Sequence, residues 1–224
     1  MPISTFQTAD GLTIYTESVL PAGNPKAVVL IVHGYAEHSG RYRHVIDRLV
    51  ASGYAVYTLD HRGHGQSDGL RAYCDRMDQF VEDLQLYFER VKAAQPNKKR
   101  FLLGHSMGAL INLAFTERHQ DEIDALVISG APVLADANVS PALVWVGNIM
   151  TRLAPRLPFV KVNQPGILSS DPEIDKAWES DPLTYKGLMR VRLGVELNNM
   201  ARAVRERLSE LHQPILILHG AQDR

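Results

Sequence analysis

The chain has 224 residues, a formal net charge of −1 and 45% hydrophobic residues. This length and apolar content are enough for one large α/β domain, or for a core with an inserted subdomain, and they argue against a disordered or all-β chain. The near balance of 24 basic and 25 acidic residues provides no electrostatic footprint for nucleic acid, and the single cysteine, Cys74, excludes an intrachain disulfide and a thiol-based metal site.

No targeting or membrane-spanning signal is visible in the sequence. Residues 1–8 lack both the charged region and the apolar region of a signal peptide, and no apolar stretch approaches the length of a membrane span. We therefore expect a cytoplasmic enzyme, either free or held peripherally at a membrane surface.

Short, β-rich apolar runs alternate with longer helical patterns along most of the chain. This alternation is typical of a mostly parallel sheet with helices on both faces. Strands are predicted over residues 12–20, 27–32, 54–59, 101–103, 125–129 and 214–218, with the first at a sheet edge and with 27–32, 54–59 and 214–218 buried. Helices are predicted over residues 42–51, 77–94 and 107–118.

Residues 136–207 break this rhythm and predict an inserted helical cap. The segment contains no convincing buried strand, and it is rich in proline (Pro141, Pro155, Pro158, Pro165, Pro172 and Pro182). The expected organisation is therefore the first part of an α/β core over 1–135, the cap over 136–207, and the second part of the core over 208–224.

The first part of this cap has a broad apolar face. The residues that form it at helical spacing are Leu143, Trp145, Val146, Ile149, Met150, Leu153 and Leu157. Packing of this face on the core is the favoured interpretation. The alternative is that part of it stays exposed and contacts lipid.

The most informative motif is Gly104-His105-Ser106-Met107-Gly108, a G-x-S-x-G sequence between a predicted strand and a predicted helix. In a nucleophile elbow the serine occupies a strained, exposed turn, and the flanking glycines let strand and helix approach closely. The following helix directs its N-terminal N–H groups towards a developing oxyanion. The pentapeptide also occurs by chance, so the surrounding loops decide its meaning.

Three further loops follow predicted strands, at the sheet end where α/β proteins place ligands. The first, residues 33–35, offers the Tyr35 backbone N–H as an oxyanion donor beside that of Met107. The second, residues 60–67, carries paired histidines, but no third ligand is within reach in the sequence, so we favour a structural loop and predict no metal. The third brings Asp223 just beyond a strand, where an acid can orient a catalytic imidazole; an ordinary turn residue is the alternative.

The motifs taken together resemble one known family. They are HGYAEHSGRY (33–42), DHRGHGQSDG (60–69), LLGHSMG (102–108), SSDPEIDKAWESDPL (169–183) and LHGAQDR (218–224). They are similar to the monoacylglycerol lipases, within the lysophospholipase-like α/β-hydrolases, over nearly the whole chain. The resemblance implies an α/β-hydrolase fold with a Ser-Asp-His triad, a lid over a hydrophobic acyl tunnel, a small polar pocket for glycerol, and no cofactor.

Carried over by position, the resemblance makes Ser106 the nucleophile, Asp223 the triad acid, and Tyr35 and Met107 the oxyanion donors. It places Glu37 and Arg41 where the family lines the alcohol pocket or holds its loop, a structural salt bridge being the alternative. Trp178 falls at a cap position that tends to be aromatic, and it is expected to close the pocket over the substrate.

The catalytic histidine of the family follows the acid, and none of the nine histidines of this chain follows Asp223. We expect His33, His105 and His219 to be engaged elsewhere or to point away, since residues flanking the elbow pack into the sheet. The expectation is therefore that these 224 residues are a shortened form of a longer protein. It would lack the final strand and helices, expose one sheet edge, and have no meaningful esterase activity alone.

The predicted reaction is hydrolysis of a small lipid ester through an acyl-serine intermediate, with monoacylglycerol converted to fatty acid and glycerol. A lysophospholipase or a general carboxylesterase remains open. So does a catalytically incomplete hydrolase-fold protein that binds a lipid or a partner. An aspartate-based dehalogenase is disfavoured because the elbow carries serine. Haloperoxidases and C–C bond hydrolases share the triad but not the context of the loops.

Overall fold

The computed structural model describes residues 3–134, 140–162, 169 and 171–221. The strands in this part of the chain are β1 (Ile3–Gln7), β2 (Thr13–Val19), β3 (Val28–Val32), β4 (Ala55–Leu59), β5 (Arg100–His105), β6 (Ala125–Ser129), β7 (Pro158–Val160), β8 (Met189–Arg190) and β9 (Ile215–Leu218). The α-helices are α1 (Arg43–Ala51), α2 (Asp78–Ala94), α3 (Met107–Arg118), α4 (Pro141–Leu153), α5 (Pro172–Ser180) and α6 (Val191–Arg207).

The main sheet has the strand order β1-β2-β4-β3-β5-β6-β9. Strand β2 pairs antiparallel with both β1 and β4, and the remaining neighbours are parallel. All residues of β3 and β4 are buried, because helices cover both faces of these central parallel strands. The predicted α/β-hydrolase architecture is confirmed.

Two helical layers enclose the sheet. Ile46 of α1 packs with Val29 and Ile31 on one face. On the other face, α2, α3 and α6 share one core with the alternate residues of β3, including Leu30 and Val32. The predicted face of α2 is confirmed, since its five apolar residues Phe80, Leu84, Tyr87, Phe88 and Val91 are all buried.

Two predictions about the edges of the sheet are wrong. The edge strand at the N-terminal side is β1, which pairs Phe6 opposite Ile14 and makes β2 an inner strand. The sequence of β1 hides it because only Phe6 among its five residues is buried. At the other side, β9 is not buried: the exposed fractions of Leu216 and Ile217 are 56% and 69%.

The exposure of β9 follows from its place in the sheet. It pairs only with β6, and within the described residues it is therefore an edge strand with one open side. An exposed apolar sheet edge was expected, and β9 is where it lies. An apolar run such as Ile215–Leu218 cannot reveal by itself which side will be covered.

The described part of the predicted cap contains α4, α5, α6 and a small antiparallel sheet of β7 and β8. This sheet was not predicted, because strands of two or three residues carry no readable pattern. Helix α6 packs against both α4 and α3, and its Leu193, Met200 and Ala201 belong to the main core. The boundaries of the cap stay predictions, and residue 136 lies outside the described residues. Among the described helices, none has the length and apolarity required to cross a bilayer.

Candidate active site

Ser106 stands at a sharp turn between β5 and α3. Its backbone has φ 51° and ψ −120°, a conformation that costs a residue with a side chain energy and that is concentrated at functional sites. A Cβ at Gly104 would lie 2.7 Å from the Cα of Ala109, and one at Gly108 would lie 2.1 Å from the carbonyl oxygen of Val32. Both glycines are therefore needed for close approach, as the elbow motif predicts.

The loop after β3 lies directly against this serine. A Cβ built on Gly34 would be 3.2 Å from both the Cβ of Ser106 and the carbonyl oxygen of His105. The N–H of Met107, the first residue of α3, has no acceptor inside its own helix. No acceptor is found in the described residues for the N–H of Tyr35 either. Both donors therefore remain available to a substrate oxygen beside Ser106.

A cavity of about 410 Å³ opens over the serine. Tyr35, Ser106 and Met107 line it from the core. Apolar side chains of the cap form much of the opposite wall, among them Leu143, Val146, Met150, Phe159, Val160 and Val195. An apolar chamber with a few polar groups beside a reactive hydroxyl suits a substrate with a hydrocarbon chain.

The apolar face of α4 divides between two environments. Leu143, Val146 and Met150 line the cavity, so part of the face packs inward around the site. Trp145 and Leu153 point outward, with exposed fractions of 66% and 76%. One side of α4 therefore lines the cavity, and another side is exposed.

A family of hydrolases matches almost the whole chain. The family model described as Hydrolase_4: Serine aminopeptidase, S33, covers residues 23–224. The chain belongs to this family. Its mostly parallel sheet with helices on both faces is that of an α/β-hydrolase.

Curated relatives and solved structures show which members of the Hydrolase_4 family this chain is similar to. The chain is 37% identical to the monoacylglycerol lipase of Mycolicibacterium smegmatis over 98% of its own length and 78% of that protein. It is 30% identical to the monoglyceride lipase of Homo sapiens over 96% and 71% of the two chains. The structure of Paleococcus ferrophilus monoacylglycerol lipase matches with a TM-score of 0.81 at 27% identity, covering 92% of this chain and 77% of that one. Together these matches show that the chain is a hydrolase of the monoacylglycerol lipase group.

In this hydrolase Glu37 supports the loop beside the serine. Its Oε1 accepts hydrogen bonds from the Gly34 N–H and the Tyr42 hydroxyl, each at 2.6 Å, and the Nε of Arg41 lies 3.4 Å from its Oε2. Burial beside the Glu37 carboxylate raises the pKa of Tyr42 well above its usual value, so that phenol stays a donor. Neither Glu37 nor Arg41 lines the cavity, an arrangement that corresponds to the structural alternative considered for this pair.

Trp178 lies away from the cavity wall. It is buried in α5, its carbonyl accepts a 2.8 Å hydrogen bond from the Thr184 hydroxyl, and the residues around the cavity do not include it. The structure therefore does not place Trp178 where it would close the pocket. Its side chain is buried, and sequence position alone does not distinguish a buried tryptophan from one that contacts substrate.

The proposed triad acid and the general base are not placed by the structure. Asp223 lies outside the described residues, so its role stays a prediction. Within the described residues, no histidine donates to or accepts from the Ser106 hydroxyl. His33 is engaged elsewhere, as expected, since its Nδ1 lies 2.7 Å from the Gly34 carbonyl oxygen and its Nε2 accepts from the His61 N–H at 2.9 Å.

The expectation that His105 packs into the sheet is wrong. It is exposed, with its Nδ1 3.3 Å from the Ser129 hydroxyl. The Cβ direction of Gly104 points at α3, so the alternation of β5 places His105 on the opposite face. Within the described residues no helix covers that face at this point, and the side chain stays in solvent.

The loop over residues 60–67 is held in place by hydrogen bonds from its polar groups, most of them to other segments of the chain. The Asp60 carboxylate accepts from the N–H and hydroxyl of Ser39 and from the Gln66 N–H. Arg62 forms paired hydrogen bonds with both Asp83 and Asp10. In the part of the chain that the structure describes, no three histidine, cysteine or acidic residues are grouped for a metal. Sequence reasoning missed the Arg62 network, because Asp10 and Asp83 are distant in the chain and carry no motif.

Proposed function

We propose that the protein hydrolyses the ester bond of monoacylglycerols, releasing a fatty acid and glycerol. The observation that carries this proposal is the position of Ser106, in a strained elbow at an apolar cavity of about 410 Å³ built largely by the cap. The names of the relatives from Mycolicibacterium smegmatis and Homo sapiens supply the substrate class. An acyl chain fits the apolar walls, and the ester carbonyl then lies beside the serine.

The chemistry is acyl transfer in two steps. The Ser106 Oγ attacks the ester carbonyl while an imidazole takes its proton, and the oxyanion is held by the N–H groups of Tyr35 and Met107. The carbon–oxygen bond to glycerol breaks, and the imidazole returns the proton to the departing oxygen. Water then repeats the sequence on the acyl-serine and releases the fatty acid.

We propose Asp223 as the acid that orients this imidazole. His33, His61 and His64 are not the general base, because all three are buried and hydrogen-bond to backbone groups. Glu37 contributes by holding Gly34, and so the Tyr35 N–H, in place.

The test is hydrolysis of 1-oleoylglycerol by the protein isolated at its natural length, with its intact mass recorded. Ser106→Ala should reduce kcat by roughly 10⁴-fold or more while the fold is retained. Ser129→Ala is the matched control, since this serine also ends a strand near the elbow, and it should keep activity. Wild-type hydrolysis by the Ser106→Ala variant would show that Ser106 is not the nucleophile.

A lysophospholipase activity is the second candidate, and one observation favours it. Arg202 lines the cavity, and its guanidinium donates to the Asn199 side chain at 2.9 Å, which leaves its other donors for a phosphate oxygen. Comparing 1-oleoylglycerol with 1-oleoyl-lysophosphatidate separates the two functions. Faster hydrolysis of the carboxylic ester of 1-oleoyl-lysophosphatidate, with the preference lost in Arg202→Gln, would favour the lysophospholipase. A general carboxylesterase would hydrolyse both substrates equally well.

A lipid- or partner-binding role without catalysis remains the alternative of another class. It would be favoured if the natural protein bound a fluorescent fatty acid in the cavity yet formed no adduct with a fluorophosphonate probe at Ser106. We also propose transient contact of the cap with membrane surfaces, since the exposed side chains of Trp145 and Leu153 lie on α4, the helix whose other side lines the cavity.

A further inference from the structure

His33, His61 and His64 form a buried cluster of three imidazole rings next to the side chain of Tyr35. The ring centroids of His33 and His61 are 4.3 Å apart, and those of His61 and His64 are 6.3 Å apart. The Tyr35 ring meets His64 edge-on, with centroids 6.0 Å apart. All three histidines are almost completely buried, and the mechanism above uses none of them.

Backbone carbonyls fix the tautomers of two of these rings. The Nε2 of His61 lies 3.1 Å from the His33 carbonyl oxygen, so Nε2 carries the proton and Nδ1 presents a lone pair. The Nδ1 of His64 lies 3.0 Å from the Arg62 carbonyl oxygen, so its Nε2 presents the lone pair. Burial keeps both rings neutral, because it lowers the pKa of His64 to about 3 and that of His61 well below its usual value.

These two lone pairs, and the Tyr35 hydroxyl, are buried without a hydrogen-bond partner among the described residues. Two acceptors cannot satisfy each other. One water molecule can donate a hydrogen to each of them and accept a third hydrogen bond from the Tyr35 hydroxyl, which satisfies all three groups at once. Buried water commonly fills this role between polar groups that would otherwise stay unpaired.

A metal ion fits this arrangement less well. The ring separation of 6.3 Å between His61 and His64 keeps their nitrogens farther apart than the roughly 3.4 Å spanned by two imidazole ligands of a tetrahedral zinc ion. A water at about 2.9 Å from each nitrogen spans about 4.6 Å, a separation of nitrogens that is compatible with ring centroids 6.3 Å apart.

We infer that one buried water molecule donates to His61 Nδ1 and His64 Nε2 and accepts from the Tyr35 hydroxyl. This bridge ties the Tyr35 side chain to the histidine cluster. The backbone N–H of the same residue is the proposed oxyanion donor, so the hydroxyl of Tyr35 and the rings of His61 and His64 act as positioning groups. The positioning role rests on the proposed function, whereas the water site does not.

A high-resolution crystal structure of the full chain tests the site directly, together with long-range ¹H–¹⁵N spectra of ¹⁵N-histidine-labelled protein. We expect a water within hydrogen-bond distance of all three groups, and spectra showing His61 protonated at Nε2 and His64 at Nδ1. A metal ion at this position, a direct contact between Tyr35 and His64, or the opposite tautomers would overturn the inference. These readouts do not depend on esterase activity.

The positioning role is tested by Tyr35→Phe, which keeps the ring and removes the hydroxyl. If the bridge aligns the oxyanion donor, kcat for 1-oleoylglycerol should fall about 3- to 10-fold with KM unchanged. Tyr73→Phe is the matched control, since the hydroxyl of Tyr73 donates to the exposed Asp75 and Tyr73 does not line the cavity, and it should leave both constants unchanged. An unchanged kcat in Tyr35→Phe, in a natural-length enzyme that hydrolyses the ester, would reject the positioning role while leaving the proposed function intact.

Discussion

Replacing Gly108 by alanine tests whether the elbow depends on close approach of backbone to backbone. Gly108 lies in the first turn of α3, where helix propensity alone predicts that Gly→Ala stabilises by up to about 1 kcal/mol. The added Cβ would instead lie 2.1 Å from the Val32 carbonyl oxygen and 2.4 Å from that of His33. Both atoms are backbone of a buried strand end, so neither can swing aside as a flexible side chain would.

The steric cost of the added Cβ should exceed the gain in helix propensity. Relieving these two contacts requires a shift of α3 by roughly 1 Å, and overpacking of this kind typically costs about 1–3 kcal/mol. The same shift moves the Met107 N–H and Ser106 relative to the Tyr35 loop. A displacement of about 1 Å can reduce a reaction rate by roughly 100-fold.

Urea unfolding of Gly108→Ala and wild type measures the free energy of unfolding, and fluorophosphonate labelling of the natural-length protein reports the reactivity of Ser106. Gly194→Ala is the matched control. This glycine also lies in a helix, but its Cβ would meet the nearest atom, the Met189 sulfur, at an ordinary 3.4 Å, so this variant should be at least as stable as wild type. Equal or greater stability of Gly108→Ala would refute the close-approach argument.

Three further predictions concern other parts of the molecule. The paired hydrogen bonds from Arg62 lower the pKa of Asp10 to about 2. Its stabilising contribution is therefore complete above the unfolded pKa of about 4 and is lost as the pH falls through 2. In urea unfolding, the advantage of wild type over Asp10→Asn should accordingly shrink as the pH falls from about 4 to about 2. Burial raises the pKa of the Cys74 thiol, so Ellman's reagent should modify it only after denaturation, and rapid reaction in the native protein would contradict its burial. If the outward side of α4 contacts lipid, Leu153→Asp should weaken binding to phosphatidylglycerol vesicles several-fold. Leu70→Asp, which changes an exposed loop residue outside the cap, should leave binding unchanged. Equal binding by both folded variants would reject membrane contact through the cap.

Local patterns in the sequence were sufficient for the elements that surround the nucleophile. The predicted spans of α3 and β6 agree with the structure residue for residue, and that of α2 differs by one residue. The elbow motif fixes the start of α3, which is buried on every side from Met107 to Thr116. The end of α2 is marked by Pro96, and Ser52-Gly53 likewise marks the end of α1. The need for glycine at 104 and 108 was also predictable, because the elbow constrains backbone positions that are adjacent in sequence.

Contacts between distant segments could not be predicted in this way. The exposure of Ile217, the solvent-facing side of His105 and the burial of Trp178 away from the cavity depend on which element covers each side chain. The association of Arg62 with Asp10 and Asp83, and of Tyr35 with His61 and His64, depends on the same three-dimensional placement. No periodic pattern encodes these pairings.

The sequence by itself therefore predicted an ester hydrolase, because a G-x-S-x-G turn between strand and helix points to one candidate nucleophile, Ser106, through local backbone geometry. It also determined the α/β architecture through its alternating strand and helix periods. Only the tertiary structure decided that the cap places Leu143, Val146 and Met150 over Ser106 and that Glu37 braces the neighbouring loop. The physical reason is that chamber walls and buried hydrogen-bond networks join residues from separate elements, whose meeting depends on packing of the whole chain.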